Sequence, residues 1–65
     1  MDLVPGRLHE LKSHGLLRFE RWDEYMGEVT AQFTMLEYGG GSAYLLPANL
    51  AGITRFESTQ SESVA

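Results

Sequence analysis

The clearest pattern in the chain is an alternation of apolar and polar residues with a period of two. From Glu28 to Met35, Val29, Ala31, Phe33 and Met35 fall on one side while Glu28, Thr30, Gln32 and Thr34 fall on the other, the signature of a half-buried β-strand. A shorter run before it, Leu16–Trp22, puts Leu17 and Phe19 on one face and Arg18 and Glu20 on the opposite one. Asp23-Glu24 offers a turn between the two, and Gly27 a bend or bulge at the start of the second. Gly39-Gly40-Gly41 then breaks the run as a loop between strands. Ala43–Leu46 reads as the next strand, ended by Pro47. Ala48-Asn49-Leu50 reads as a single turn, and Ile53–Phe56 as a last short strand.

The N-terminal segment reads differently. Pro5 suits a first helical position, Leu8 and Leu11 are three apart, Lys12 and His14 suit a helix C-terminus, and Gly15 can close it. The spacing predicts a short helix over about 5–14. Residues 1–57 are expected to form one domain, with 58–65 a disordered polar tail that has little to bury. The fold class expected is mainly β with one short N-terminal helix, most simply a small five-stranded barrel. The alternative is an α+β helix-plus-meander completed by dimerisation.

Two segments resemble known small barrels. Glu24-Tyr25-Met26-Gly27-Glu28-Val29 followed by Phe33 looks like the Sm/Hfq pattern, in which a strand glycine precedes an aliphatic and then an aromatic residue. Tyr44-Leu45-Leu46-Pro47-Ala48-Asn49-Leu50, then Ile53, is similar to the strand–turn–strand that closes both Sm-like and SH3-like barrels. The resemblance is one of architecture, over roughly residues 8–56. The functional residues do not carry over. Where Hfq proteins read RNA with Tyr-Lys-His, this chain has Leu46-Pro47-Ala48, and Thr34 stands in place of the Asp of the Sm pattern. A plasmid-borne dihydrofolate reductase is also a tiny SH3-like barrel, but its substrate-binding Val-Gln-Ile-Tyr would fall on Ala43-Tyr44-Leu45-Leu46, which lacks both polar groups.

Size sharpens the picture. At 65 residues with no cysteine, disulfides and thiolate zinc sites are excluded. A chain this short buries only about 60% of the surface its unfolded form exposes. Small domains commonly offset that by self-association, so a homo-oligomer is expected. The lack of cysteine, of a secretion signal and of a bilayer-length apolar run points to a cytoplasmic protein without a membrane role. The net charge is −4, from nine acidic and five basic residues. With Glu57 and Glu62 in the tail, seven face five in the folded part. That balance disfavours a nucleic-acid binder driven by phosphate neutralisation.

Candidate chemistries fail on spacing. His9 and His14 are five apart, which on a helix sets them about 140° apart around the axis, too far to share one ion. They read as two surface histidines, and no metal or cofactor is expected. Gly39-Gly40-Gly41-Ser42 has no following lysine and leads into a strand, so it is a hairpin loop rather than a phosphate cradle. Asp23, Glu24 and Glu28 lack calcium-loop spacing and read as a solvated turn. No catalytic residues emerge.

The aromatics offer more. Phe19 and Phe33 belong to the inward stripe, while Trp22, Tyr25, Tyr38 and Tyr44 fall near strand ends or off phase. Tyrosine, tryptophan and arginine are the usual interface anchors. The expected partner-binding residues are therefore Trp22, Tyr25, Arg18, Arg21 and Tyr44, serving a non-catalytic protein-binding or assembly module, in one version a small regulatory inhibitor. The opposing reading is that these aromatics cap a core too small to bury them. A second hypothesis is an oligomeric Sm-like barrel that gathers Arg7, Lys12, Arg18 and Arg21 on one rim to bind RNA or DNA. A third is an enzyme with a site shared between subunits.

Overall fold

The computed structural model describes residues 3–55. Its elements, in order, are strands β1 (Leu8–Leu11), β2 (Gly15–Tyr25), β3 (Glu28–Met35) and β4 (Gly41–Leu45), a single 3-10 turn at Pro47–Leu50, and β5 (Thr54–Arg55). They form one antiparallel sheet in the order β4-β3-β2-β1-β5. The protein is mainly β, as the alternation implied. Phe56 and the polar stretch 58–65 lie outside the described residues.

No N-terminal helix forms. Val4-Pro5-Gly6-Arg7 is instead a tight turn, closed by the Arg7 amide donating to the Val4 carbonyl at 2.9 Å, with Gly6 at φ 86°. Proline followed by a residue at positive φ is the arrangement of a type II turn, and it uses up the residues that would have nucleated the helix. Beyond it, β1 gains backbone pairing on both flanks, from β2 and from β5. A short lone helix has no comparable support. Gly15, at φ 75°, closes the β1–β2 loop rather than a helix end, after the His14 amide has bonded the Leu11 carbonyl at 2.9 Å.

The sheet is not closed into a barrel, and the helix-plus-meander alternative loses its helix. β5 contributes only two residues and β4 stops at Leu45 before Pro47, so among the described residues β4 and β5 remain the two edges. The core is one sheet face: Leu11, Leu17, Phe19, Ala31, Phe33 and Leu45 pack together, with Leu3, Met35, Leu50 and Ile53 against them. Phe19 and Phe33 are register partners and meet edge to face at 5.5 Å between ring centroids, a geometry that favours aromatic pairs.

Two details of the β2–β3 hairpin depart from simple alternation. The turn is Met26-Gly27, not Asp23-Glu24, which lie inside β2. And the register slips between Phe19 and Arg21, leaving Glu20 as the extra residue of a bulge. A one-residue insertion exchanges the two faces for every residue beyond it. Trp22, paired with Ala31, thus joins the core face, while Arg21, paired with Gln32, turns outward.

Candidate functional site

Register shows where the hairpin outgrows its neighbours. β4 reaches β3 only as far as the Leu45–Ala31 pair. On the other flank β1 ends its pairing at Leu8–Arg18, extended by the Gly6–Phe19 and Phe19–Arg7 backbone bonds at 2.8 and 3.0 Å. Asp23–Tyr25 and Glu28–Thr30 therefore form an arm two strands wide, capped by Met26-Gly27. A two-stranded ribbon is marginal on its own, and this one exposes apolar side chains on both faces.

On the face continuous with the core stand Trp22 and Val29. Trp22 packs edge-on against Phe19 at 5.8 Å yet stays 46% exposed, and Val29 is 52% exposed. Val29 shares the phase of Ala31, Phe33 and Met35, as the alternation predicts, but the arm carries it past the core, so it is not buried.

The opposite face holds a groove of about 830 Å³. Its apolar walls are Tyr25, Met26, Tyr44 and Leu46, all exposed, and its rim carries the carboxylates of Asp23 and Glu28. Thr30 also lines it and is only 7% exposed, although the strand pattern placed it toward solvent. Its hydroxyl donates to the Asp23 carbonyl across the pair at 3.5 Å. Asp23 accepts the Glu24 amide at 2.8 Å.

The basic residues sit elsewhere. The Arg18 guanidinium is bonded to Glu20 at 2.8 Å, and Glu20 also accepts the Thr34 hydroxyl at 2.7 Å. The Thr34 hydroxyl and then Arg18 hold the Glu20 carboxyl below its ordinary range. Arg21 donates to the Gln32 side chain, and Gln32 in turn pairs across with Tyr44. Arg18, Arg21, Tyr25 and Tyr44 thus share the outer face by register, and Trp22 is separated from them by the bulge. The four cations expected on one rim are dispersed too. Arg7 follows the N-terminal turn in the phase of His9, Lys12 lies in the β1–β2 loop, and Arg18 and Arg21 are on the outer face.

His9 is not at the surface. As a strand residue it points with Leu11 into the core, 1% exposed, its ring edge-on to Phe33 at 6.4 Å. Among the described residues neither ring nitrogen finds a hydrogen-bond partner. Burial holds its pKa below the ordinary value of 6.5; the Thr54 backbone acts in the opposite sense without reaching bonding geometry, and the charges of Arg55 and Arg7 lower it further. Among the described residues no three of His, Asp and Glu converge to hold a metal ion, and no helix is long and apolar enough to cross a membrane.

Met26, Val29 and Leu46 were not among the expected contact residues, and Asp23 and Glu28 read only as part of a solvated turn. One local signal was available: Gly27 lies between the two alternating runs and can supply one of the two positive-φ positions that a two-residue hairpin turn needs. Placing the turn there extends both strands and puts Tyr25 opposite Glu28. No protein-family model, curated protein or solved structure matches this chain.

Proposed function

We propose that the protein is a non-catalytic assembly module that binds a second copy of itself through the core-side face of the β2–β3 arm. The observation that carries this reading is the pair Trp22 and Val29, exposed on a face continuous with the core at the end of a two-stranded ribbon. A domain this small has little stability to spare. Covering that face with its equivalent on another copy extends the core across the interface, and the two-fold arrangement this implies is the commonest among homo-oligomers. The strand order β4-β3-β2-β1-β5, with a single 3-10 turn between the last two strands, supports a small SH3-like or Sm-like architecture left open between β4 and β5, whose edges a partner can also use.

The test is sedimentation equilibrium at micromolar concentration. The wild-type chain should sediment as a dimer or larger. Val29→Asp, which places a charge on an exposed position and removes nothing from the core, should be monomeric with an unchanged far-ultraviolet dichroism spectrum. A wild-type chain that is monomeric throughout the micromolar range overturns the reading.

A further inference from the structure

The outer groove faces away from the proposed self-contact and differs from it in chemistry. Its walls are two tyrosines, a methionine and a leucine, and among the described residues the charges in its lining are the carboxylates of Asp23 and Glu28. Among the described residues no cation pairs with either. Arg21, the nearest basic residue along the strand, is turned to Gln32. We propose that this groove takes an extended segment of a different protein that carries a lysine or arginine between apolar residues. The cation lies between the Tyr25 and Tyr44 rings against Asp23 and Glu28.

Three features support that occupant. The first is volume: about 830 Å³ holds several side chains and lies within the range of ordinary binding clefts. The second is charge. Carboxylates and tyrosine rings lining one groove attract a cation both directly and through the ring quadrupoles, and a neutral or acidic segment would leave the carboxylates uncompensated on desolvation. The third is backbone. The pairing of β4 with β3 ends at Leu45–Ala31, so the β3 backbone at Glu28 and Val29, both exposed, has no strand paired on that flank among the described residues. An extended segment can pair there as an added strand, with alternate side chains entering the groove. In a second copy Arg18 and Arg21 are already engaged, by Glu20 and Gln32, so they are not the cations that copy would supply.

The experiment uses the full chain and fluorescein-labelled peptides of about seven residues, the length of an ordinary strand. The flanks are pooled valine, leucine and threonine, and the centre is fixed as lysine, arginine, norleucine or glutamate. Binding is read by fluorescence anisotropy at two salt concentrations. The lysine and arginine pools should bind about tenfold more tightly than norleucine and more tightly still than glutamate. Raising salt should narrow the gap. Asp23→Asn with Glu28→Gln should abolish the lysine preference and leave the norleucine pool unchanged, while Tyr44→Ala should weaken lysine and norleucine pools together. Equal binding of all pools, absence of binding, or a lysine preference that survives the double amide variant would each overturn the proposal.

Sedimentation of the same variants separates this idea from self-assembly. The groove variants should sediment as wild type, and Val29→Asp should lose self-association while keeping the lysine preference. If the amide variant instead dissociates the oligomer, the groove is a contact between copies: the peptide proposal fails, and self-assembly stands through the groove rather than through the core-side face.

Discussion

His9 shows what a single residue costs a small core. Among the described residues its two ring nitrogens are buried without partners beside Phe33, and an unsatisfied buried polar group costs about 1–3 kcal/mol. Because burial depresses its pKa in the folded state, the unfolded chain takes up a proton as pH falls through about 6.5 before the folded chain does. Stability is therefore complete above that pH and declines below it, by up to about 1.4 kcal/mol per pH unit. Glu20, whose pKa is also depressed, loses its contribution only below its ordinary value of 4.5, so the interval from about pH 6.5 to 5 belongs to His9. Urea midpoints across that interval should fall for the wild-type chain. In His9→Leu the decline should be largely removed, and stability at pH 7 should rise by about 1 kcal/mol.

The β2–β3 hairpin is the element on which both proposed surfaces depend, and its turn is not ideal. Met26 and Gly27 both lie at positive φ, 52° and 80°, as a type I′ turn demands. For a side chain other than asparagine, aspartate or glycine that conformation costs about 1 kcal/mol or more. Met26→Asn should relieve part of the cost and stabilise the domain by about 0.5–1 kcal/mol, read as a higher urea midpoint with an unchanged slope. The bulge at Glu20 is the second device of this hairpin. It sends Trp22 to the core side and Arg21 to the outer side, and so gives the arm two faces of different character.

For the whole molecule, the thinness of the core is decisive. Roughly 0.05–0.15 kcal/mol per residue gives a 65-residue chain a total stability of about 3–10 kcal/mol. Phe33 is fully buried and touches Phe19 and His9. Truncating a buried phenylalanine costs about 3–5 kcal/mol, a large part of that total. Phe33→Ala should therefore be largely unfolded at room temperature by near-ultraviolet and far-ultraviolet dichroism, whereas Val29→Asp, on the same strand face but beyond the core, should fold normally.

By itself the sequence determined the strand-rich character of the chain, the shared face of Val29, Ala31, Phe33 and Met35, the placement of Phe19 and Phe33 in the core, and the absence of any disulfide. These follow from period-two alternation and composition, which are local properties. Tertiary structure decided what depends on neighbours. Leu8 and Leu11, three apart, share a helix face but lie on opposite faces of a strand, and pairing with β2 and β5 selects the strand and buries His9. Alternation cannot reveal a bulge, so the side taken by Trp22 appeared only with the register. The groove joins Tyr25 and Glu28 of the arm to Tyr44 and Leu46 some twenty residues away. Nothing in the spacing of those residues brings them together; the early end of β4 beside a longer hairpin does.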